Sequence, residues 1–503
     1  MRGGRFAALA LIVMAFTLAA RADRTAPAAT KIMPFVQAAL AQGQHADVLV
    51  ILKDQARLSN TQHFTTQLER GRYVYETLTK TAQRSQQALR SELDAKGIPY
   101  RAHYLVNMIA IPNADAQLIH ALAARDEVAR IELNPKVKKL SMYVEPDLTP
   151  LSAPHPFPSP SEGRGDQGVR VEEKLDIPWN LTLINADKVW EMGITGKGVV
   201  VAGADTGVDW LHPALITQYR GYSGEDEIAD HNYNWFDTVE NSPEPVDPGD
   251  HGTLTLGVVV GSEEHTRTGV AFDSQWIACR NMDYDGYGTP ERYIGCMEFF
   301  LAPFPLEGDP MTDGDPSKAP QVINNSWGCP PHEGCEPDTL KEAVERVRAG
   351  GILFVAAAGN EGPTCSSVID PPAIYEAAFT VGATTRDDKI ARFSSRGPVT
   401  IWGTEQIEPD VSAPGVSIRG PMPGGSYLSV GGTSLAAPHV TGIAALMLSA
   451  APHLKGRVEV LEELIRQTAL PKVGDCGGDR PNNSFGWGRV DALAAVKAAL
   501  EAK

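Results

Sequence analysis

Positive charge is scarce in this sequence, which has 45 lysine and arginine residues against 62 aspartate and glutamate residues. The resulting net charge of −17 argues against binding to nucleic acid or to an anionic membrane surface. We also expect no run beyond the N-terminus to be long and apolar enough to span a membrane, and therefore no stable association with a membrane. Internal repeats are absent, and six cysteines are few for 503 residues. What remains is a chain of 43% hydrophobic residues, long enough for more than one domain and a large core.

The first 22 residues have the pattern of a secretory signal peptide. Residues 1–5 are basic, residues 6–20 form an uncharged apolar run, and Ala20-Arg21-Ala22 supplies small residues around a cleavage point. This run is too short to favour a membrane span, although an uncleaved membrane anchor is the alternative. The pattern therefore predicts a protein secreted to the extracellular space or the periplasm, where disulfides can form.

The order of predicted elements divides the rest of the chain into two folded units. Residues 46–140 have the order β-α-β-α-β, with the second strand over 104–111, which predicts a small α+β unit of the ferredoxin-like, split βαβ type. Residues 141–174 are rich in proline and glycine and are typical of an extended linker. Over residues 175–503 strands and helices alternate, which predicts an α/β fold of three layers, α/β/α, around a mostly parallel sheet.

Three segments each place one reactive side chain beside glycine and threonine. They are Asp205-Thr206-Gly207, His251-Gly252-Thr253 and Gly432-Thr433-Ser434. Nucleophilic acyl transfer needs these three groups: the serine attacks, the histidine moves its proton, and the aspartate orients the histidine. Each segment alone is weak, because Asp205 could be a turn residue, a single histidine is more often structural, and Ser434 could cap the helix that follows it. Together, in that order along the chain, they predict a catalytic triad.

These segments resemble the motifs of the subtilisin-like serine proteases, in particular their bacillopeptidase F-like branch. The resemblance covers about residues 180–500 and rests on four stretches: Val201 to Asp209 with His212-Pro213, Asp250 to Thr253, Ala357 to Asn360, and Gly432 to Ser434 with Pro438-His439. It implies a serine endopeptidase of the three-layer fold in which Asp205 orients His251, His251 is the base and Ser434 is the nucleophile. Residues 46–140 resemble the inhibitory prodomain of the same family, by pattern more than by any sharp motif.

The resemblance also implies roles for residues around the triad. Asn360 is the expected side-chain donor to the oxyanion, with a plain turn asparagine as the alternative, and Gly359 beside it is expected to bind substrate. Ser326, Trp327 and Gly328 are the expected strand that pairs with the substrate backbone, although Trp327 could instead be a core aromatic residue. Proteins or peptides are therefore the expected substrates.

Two positions and the cysteines depart from the simplest members of that family. Leu435 stands where the family usually has methionine after the nucleophile, and Ala214 stands where relatives with a strong calcium site often have aspartate. We therefore expect no metal ion at that site and no cofactor, although acidic loops elsewhere leave other calcium sites open. Two disulfides are candidates, with free buried thiols as the alternative. They are Cys329–Cys335, which encloses a short loop of proline and glycine, and Cys279–Cys296.

These patterns together predict a secreted serine endopeptidase that is made as a precursor. The N-terminal unit would inhibit the protease within the same chain, through a tail that pairs with the strand edge at residues 326–328 as substrate does. Self-cleavage is then expected between Lys139 and Glu173. A non-catalytic binding or scaffold protein that kept the fold is the alternative, and the intact triad with Asn360 argues against it.

Overall fold

The computed structural model describes residues 31–43, 45–59, 61–143, 177–225 and 228–503. The predicted signal peptide lies outside these ranges, as does nearly all of the predicted linker. The described residues form an N-terminal unit before residue 144 and a C-terminal unit from residue 177 onward, and the two units pack against each other.

The N-terminal unit is a four-stranded antiparallel sheet with helices. Its strands lie in the order β2 (Arg101–His103), β3 (Met108–Ala114), β1 (Ala46–Leu52) and β4 (Val128–Leu133). The observed order β-α-β-β-α-β has one strand more than predicted, and the additional strand is β2. The expected strand over 104–111 is a turn at 104–107 followed by β3. The elements are α1 (Pro34–Ala41), β1 (Ala46–Leu52), α2 (Gln67–Ala95), β2 (Arg101–His103), β3 (Met108–Ala114), α3 (Ala116–Ala123), β4 (Val128–Leu133) and β5 (Val137–Lys138).

The C-terminal unit alternates strands and helices along the chain. Its first half contains α4 (Trp179–Leu183), α5 (Ala186–Trp190), β6 (Val200–Asp205), β7 (Trp235–Asp237), α6 (His251–Val260), β8 (Gln275–Arg280), β9 (Tyr287–Gly288), α7 (Pro290–Leu301) and β10 (Val322–Asn325). Its second half contains α8 (Lys341–Ala349), β11 (Leu353–Ala357), β12 (Phe379–Thr384), β13 (Val411–Pro414), β14 (Ile418–Met422), β15 (Ser426–Val430), α9 (Thr433–Ala450), α10 (Val458–Thr468) and α11 (Ala492–Glu501). Short 3₁₀ helices lie at Thr61–His63, Ile216–Gln218, Pro316–Lys318, Pro331–Glu333 and Pro452–Leu454.

Seven strands form one parallel sheet at the centre of the C-terminal unit. Their order is β13-β12-β11-β10-β6-β8-β7, and each strand runs parallel to its neighbours. Successive side chains of a strand point to opposite faces of the sheet and pack into two separate cores. Val355 belongs to the core that contains α9, and Phe354 belongs to the core that contains α7 and α8. The predicted three-layer α/β/α fold with a mostly parallel sheet is therefore confirmed.

Helix α9 is a core helix of one of the two helical layers. Among the described residues it is the one helix that is long and apolar enough to cross a membrane, yet 89% of it is buried inside the protein. The expectation that no run beyond the N-terminus is long and apolar enough to span a membrane was therefore wrong, because α9 has both the length and the composition. Burial accounts for the run, since a helix surrounded by other elements is apolar all round.

The two units share a continuous apolar core. Leu49 of β1, together with Val74 and Leu78 of α2, belongs to the same cluster of buried side chains as Phe299 and Phe300 of α7. The N-terminal sheet thus covers α7 instead of leaving it to solvent. Separation of the units would expose this apolar surface to water, at a cost of roughly 25 cal/mol per Å².

A buried carboxylate on α7 also binds the turn between β2 and β3. Glu298 accepts hydrogen bonds from the backbone N–H groups of Tyr104 (2.5 Å) and Leu105 (2.8 Å), and its Oε2 lies 3.0 Å from Nδ1 of His103. Glu291, nearer the start of α7 on the same face, lies 3.7 Å from the other ring nitrogen of His103. Because all these groups are desolvated together, the contact is specific to the docked arrangement of the two units.

Three disulfides are present in the described residues. Cys279 of β8 is joined to Cys296 of α7, and Cys329 is joined to Cys335, so both candidate pairs are present in the structure. A third disulfide, between Cys365 and Cys476, was not predicted, and it joins residues 111 positions apart. All six cysteines of the sequence are thereby paired.

Candidate functional site

The reactive residues identified from the sequence lie at the ends of neighbouring elements. Asp205 is the last residue of β6, His251 the first of α6 and Ser434 the second of α9. Asn360 follows β11 closely, and Ser326 directly follows β10. Because β6, β10 and β11 are adjacent parallel strands, their carboxyl ends bring these residues to one edge of the sheet.

Asp205 and His251 form a buried hydrogen-bonded pair. Nδ1 of His251 lies 2.8 Å from Oδ1 and 2.9 Å from Oδ2 of Asp205. The same Oδ1 accepts a hydrogen bond of 2.8 Å from the backbone N–H of Thr206, which holds the carboxylate from a second side. The pair orients the imidazole ring with Nδ1 as the donor, so that Nε2 is the nitrogen that can accept a proton.

Gly252 permits the close approach of α6 to β6. A Cβ atom at this position would overlap with the carbonyl oxygen of Gly207 and would lie 3.0 Å from the Cβ atom of Asp205. Any side chain here would push the first turn of α6 away from the end of β6. The glycine that follows His251 in its motif therefore maintains the distance between His251 and Asp205.

A second buried carboxylate, which sequence reasoning missed, ties these two elements together. Asp247 accepts hydrogen bonds from the hydroxyls of Thr206 (2.8 Å) and Thr253 (2.6 Å) and from the backbone of Thr253 (2.8 Å). Burial raises the pKa of Asp247, while the hydrogen bonds from Thr253 and Thr206 act in the opposite direction. The threonines of the first two motifs thus anchor the loop before α6. Only the position of Asp247 in a loop of proline, glycine and aspartate could have drawn attention to it.

The hydroxyl of Ser434 points to the segment after β10. Its Oγ donates to the carbonyl oxygen of Ser326 over 3.4 Å, and the Ser326 hydroxyl donates to the carbonyl oxygen of Ser434 over 3.0 Å. Nε2 of His251 is buried and has no hydrogen-bond partner among the described residues. The structure therefore pairs Asp205 with His251, as their predicted roles require, but shows no hydrogen bond between His251 and Ser434.

The side-chain amide of Asn360 is held in one orientation by Thr433. Its Oδ1 accepts hydrogen bonds from the backbone N–H (3.0 Å) and the hydroxyl (2.9 Å) of Thr433, the residue before Ser434. This leaves Nδ2 as the free donor, and Nδ2 donates to the carbonyl oxygen of Ser141 over 2.9 Å. The Thr433 hydroxyl also accepts from the N–H of Gly359 over 3.2 Å. Sequence reasoning identified Asn360 and Gly359 but gave Thr433 no part in their geometry.

The tail of the N-terminal unit lies across this edge of the C-terminal unit. Its strand β5 pairs antiparallel with β9, and the backbone N–H of Lys139 donates to the carbonyl oxygen of Gly286 over 2.7 Å. Further along, Tyr143 and Gly431 exchange two backbone hydrogen bonds of 2.7 Å each. The Tyr143 ring stacks on Phe393 with ring centres 4.7 Å apart. The carbonyl of Ser141 lies between these two anchored stretches.

The segment expected to pair with substrate has a different set of contacts. The tail pairs with β9, and none of the observed backbone hydrogen bonds of residues 137–143 goes to residues 326–328. The side chain of Trp327 is buried and stacks on Tyr293 with ring centres 4.0 Å apart, as the core-aromatic alternative requires. Ser326 nevertheless touches Ser434, so the backbone of this segment borders the site. The pairing was misplaced because β9 is only two residues long and has no strand pattern.

Histidines near the site are not grouped as metal ligands. In the part of the chain that the structure describes, no three His, Cys, Asp or Glu side chains come together in a way that could hold a metal ion. His439 uses both ring nitrogens, since Nδ1 donates to the carbonyl oxygen of Leu435 and Nε2 accepts from Asn180. Burial lowers its pKa to about 4, so His439 is neutral at ordinary pH.

Comparison with known proteins identifies the family. The profile of the Subtilase family matches residues 196–488, more than half of the chain. Bacillopeptidase F of Bacillus subtilis (strain 168) is 34% identical over 448 residues, which cover 87% of this chain and 29% of that protein. The thermophilic serine proteinase of Bacillus sp. (strain AK1) is 32% identical over 62% of this chain and 64% of that protein. Subtilisin E of Bacillus subtilis (strain 168) is 34% identical over 56% of this chain and 63% of that protein.

This chain thus spans less than two thirds of the length of each of these relatives. The similarity to bacillopeptidase F begins before the matched family region, because it extends over 87% of the chain. Asp205, His251 and Ser434 all lie within residues 196–488, the region that the family profile matches. The resemblance to the subtilisin-like, bacillopeptidase F-like proteases is therefore confirmed, and the chain belongs to the subtilase family.

Proposed function

We propose that this chain is a serine endopeptidase that cuts peptide bonds through an acyl-enzyme on Ser434. The observation that carries the proposal is the position of Ser141. Its carbonyl oxygen accepts a hydrogen bond from Asn360, the expected oxyanion donor, at the same sheet edge as the buried pair of Asp205 and His251. A peptide carbonyl thus occupies a place where it can be polarised. Membership of the subtilase family supports the class of reaction.

The reaction requires one rearrangement at the nucleophile. Ser434 changes rotamer, so that its hydroxyl leaves the carbonyl of Ser326 and donates to Nε2 of His251. His251 takes the proton as Oγ attacks the substrate carbonyl carbon, and Asp205 stabilises the imidazolium that forms. His251 then gives this proton to the leaving amine. A water molecule, deprotonated by His251, attacks the ester and releases the acyl group from Oγ.

Charge on the tetrahedral intermediate is stabilised by two donors. One is Nδ2 of Asn360, whose amide is already oriented by Thr433. The other is the backbone N–H of Ser434, which lies in the first turn of α9, where the helix dipole also favours negative charge. Donors that are fixed before the reaction need no reorganisation as the negative charge develops. This preorganisation accounts for most of their stabilisation of the transition state.

The precursor is proposed to cut itself at the bond between Ser141 and Met142. Asn360 holds the carbonyl of Ser141, while β5 anchors the chain before this bond and Tyr143 anchors it after. A bond fixed on both sides in this way reacts as if the substrate were at a very high local concentration. The proposed bond lies within the range between Lys139 and Glu173 that the sequence predicted.

The N-terminal unit is proposed to act as an inhibitor after the cut. Its tail occupies the site through β5 and Ser141, and its body covers α7 through a shared apolar core. Cleavage breaks one covalent bond but leaves these contacts in place. Release of the fragment therefore limits the appearance of activity, as expected for a zymogen with an intramolecular inhibitor.

Export is proposed from the N-terminus and from the cysteines. Residues 1–22 have the composition of a signal peptide, and all six cysteines are paired in the structure. We therefore assign the mature enzyme to the extracellular space or the periplasm, with proteins or peptides as substrates. Fusion of residues 1–45 to a reporter enzyme that is active only outside the cytoplasm would test export separately from catalysis.

The competing hypothesis is a binding or scaffold protein that retains the subtilase fold without activity. The two hypotheses differ at Ser434: a protease needs a serine that His251 activates, and a scaffold does not. The buried pair of Asp205 and His251 favours the protease, because burying a charged carboxylate beside an imidazole is costly for stability and is useful for proton transfer.

Labelling with a fluorophosphonate probe decides between them. The folded chain, after removal of the N-terminal unit, is incubated with the probe, and the modified residue is mapped by mass spectrometry. We expect an adduct on Ser434 in the wild-type protein, none in Ser434→Ala, and labelling slowed by about 10³-fold or more in His251→Ala, which keeps the nucleophile but loses the base. Absence of an adduct from the folded wild-type protein would favour the scaffold.

A further inference from the structure

Asp370 is a buried carboxylate that the proposed reaction does not use. It lies between β11 and β12, only 4% of its surface is exposed, and its Oδ1 has no hydrogen-bond partner among the described residues. A buried polar atom without a partner destabilises the folded protein, and a charged one does so more strongly. Such a cost is tolerated where a ligand supplies the missing partner.

The carboxylate of Asp370 packs on the backbone of Gly328. A Cβ atom on Gly328 would lie 3.1 Å from Cβ and 3.3 Å from Oδ2 of Asp370, so the absence of a side chain leaves room for the acid. The N–H of Cys329 donates to the carbonyl oxygen of Pro371 over 2.7 Å, which fixes the loop of Asp370 against this segment. The acid is therefore held at residues 326–328.

Two segments border the peptide bond that is held at the site; Asp370 packs on the first and lies in the same connection as the second. One is residues 326–328, where the Ser326 carbonyl accepts from Ser434. The other contains Asn360, which binds the carbonyl of Ser141 and precedes Asp370 by ten positions in the same connection between β11 and β12. The residue whose carbonyl Asn360 holds, here called the acyl-side residue, is therefore bordered by the segment on which Asp370 packs.

The charged groups that act on Asp370 are all acidic. Burial, together with the nearby carboxylates of Glu361 and Glu333, raises its pKa to about 8. Both neighbours are bound by neutral donors: Glu361 accepts from the Ser395 hydroxyl, and Glu333 from the backbone N–H of Lys138. Without a cation, the carboxylate of Asp370 has neither a charge partner nor a full set of donors.

We propose that Asp370 selects lysine or arginine as the acyl-side residue of substrates, by accepting the cationic head group on its unpartnered oxygen. This inference rests on the proposed endopeptidase function and adds a substrate class to it. A basic side chain supplies both a donor and the opposite charge, whereas a neutral side chain of the same length leaves the acid unpaired.

The sequence of the chain's own tail is consistent with this assignment. Ser141 occupies the acyl-side position, and its short side chain has no positive charge to offer Asp370, whose Oδ1 is without a partner among the described residues. Self-cleavage tolerates the mismatch because the tail is attached to the enzyme and is held by β5 and Tyr143 on both sides. A separate substrate lacks this advantage and depends on the side-chain contact.

Matched peptide substrates test the assignment on the processed enzyme. Fluorogenic peptides that differ only at the acyl-side residue carry arginine or its neutral isostere citrulline, and lysine or norleucine. We expect kcat/KM for each cationic member to exceed that of its neutral counterpart by at least about tenfold. In Asp370→Asn, which keeps the shape and removes the charge, both ratios should fall towards one.

Glu361→Gln is the matched control, because it removes an acidic neighbour that already has a hydroxyl donor. It should keep most of the preference; an equal loss in Glu361→Gln and Asp370→Asn would overturn the assignment to Asp370. Fluorophosphonate labelling of Ser434 checks that each variant is folded. Wild-type enzyme that labels and cuts all four peptides without preference contradicts this inference alone, whereas failure to label contradicts the endopeptidase function and this inference with it.

Discussion

The side-chain amide of Asn360 donates to the carbonyl oxygen of Ser141, with 2.9 Å between Nδ2 and that oxygen. The two residues are 219 positions apart, and the contact joins the C-terminal unit to the tail of the N-terminal unit. Within the part of the chain that the structure describes, it is the one hydrogen bond from the expected oxyanion donor to a peptide carbonyl. The proposals on autoprocessing and inhibition both depend on it.

Removal of the oxyanion donor should slow the chemistry with little effect on binding. Asn360→Ala leaves Ser434, His251 and Asp205 in place, and we expect kcat to fall by about 10²–10³-fold with KM nearly unchanged. Thr433→Val should cost less, since it removes one of the two groups that orient the amide but keeps the donor. Steady-state kinetics on one fluorogenic peptide measures both, and a change confined to KM would contradict these roles.

Gly252 provides a test of the packing between α6 and β6. In Gly252→Ala the added methyl group meets the carbonyl of Gly207, so the helix must shift and the Asp205–His251 hydrogen bond must lengthen. We expect activity to fall by at least about tenfold and stability by about 1–3 kcal/mol. Gly203→Ala is the control, because its nearest contact would be Leu256 at 3.8 Å. Equal effects of the two variants, measured by kinetics and thermal unfolding, would contradict this explanation.

The sequence was informative about the site wherever function is concentrated in a short motif. Asp205, His251 and Ser434 each stand beside glycine and threonine. In the structure, Gly252 allows α6 to pack closely against β6, and the hydroxyls of Thr206 and Thr253 donate hydrogen bonds to Asp247. The parallel sheet was predictable for a similar reason, since strands buried on both faces are runs of apolar residues.

Features that depend on distant contacts could not be predicted in this way. The Cys365–Cys476 disulfide joins loops that come together only in the folded chain, and no local pattern pairs them. The tail pairs with β9, a strand of two residues, which is too short to show the alternation of apolar and polar residues that identifies a strand in a sequence. The unpartnered oxygen of Asp370 is likewise invisible in the sequence, because it depends on which donors are absent from its surroundings.

The contact of His103 should make the docked precursor sensitive to pH. Burial lowers the pKa of His103, but the carboxylates of Glu298 and Glu291 outweigh it and raise the pKa to about 9, with Arg101 paired to Glu291 nearby. The unfolded value is about 6.5, so the charged contact stabilises fully below about pH 6.5 and is lost as the pH rises through about 9. Tyr104 on the same turn remains protonated, since burial raises its pKa.

Thermal unfolding of the Ser434→Ala precursor measures this dependence without self-cleavage. The difference in stability between Ser434→Ala and Ser434→Ala/His103→Gln should be about 3 kcal/mol below pH ~6.5 and should shrink towards pH ~10. Surface-exposed His120 provides the control, as His120→Gln should show no such trend. A difference that stays constant with pH would show that the charge of His103 does not contribute.

Leu435 should make the enzyme resistant to mild oxidation. The residue after Ser434 is fully buried, and leucine has no sulfur to oxidise. Peroxide should therefore leave wild-type activity largely intact, whereas Leu435→Met should lose activity with time. Leu448→Met places a methionine near the other end of α9, away from Ser434, and is the control for oxidation of a methionine elsewhere in the same helix. Rapid loss in the wild-type enzyme, mapped to the active site by mass spectrometry, would contradict the prediction.

The intact mass of the purified precursor tests the central claim most directly. Wild-type protein and Ser434→Ala are expressed without other proteases, and each is analysed by mass spectrometry and N-terminal sequencing. We predict that the wild-type chain is cut between Ser141 and Met142, so that the mature enzyme begins at Met142, and that Ser434→Ala stays uncut. Cleavage of pure Ser434→Ala at the same bond, or a wild-type chain that stays whole when folded, would contradict the account.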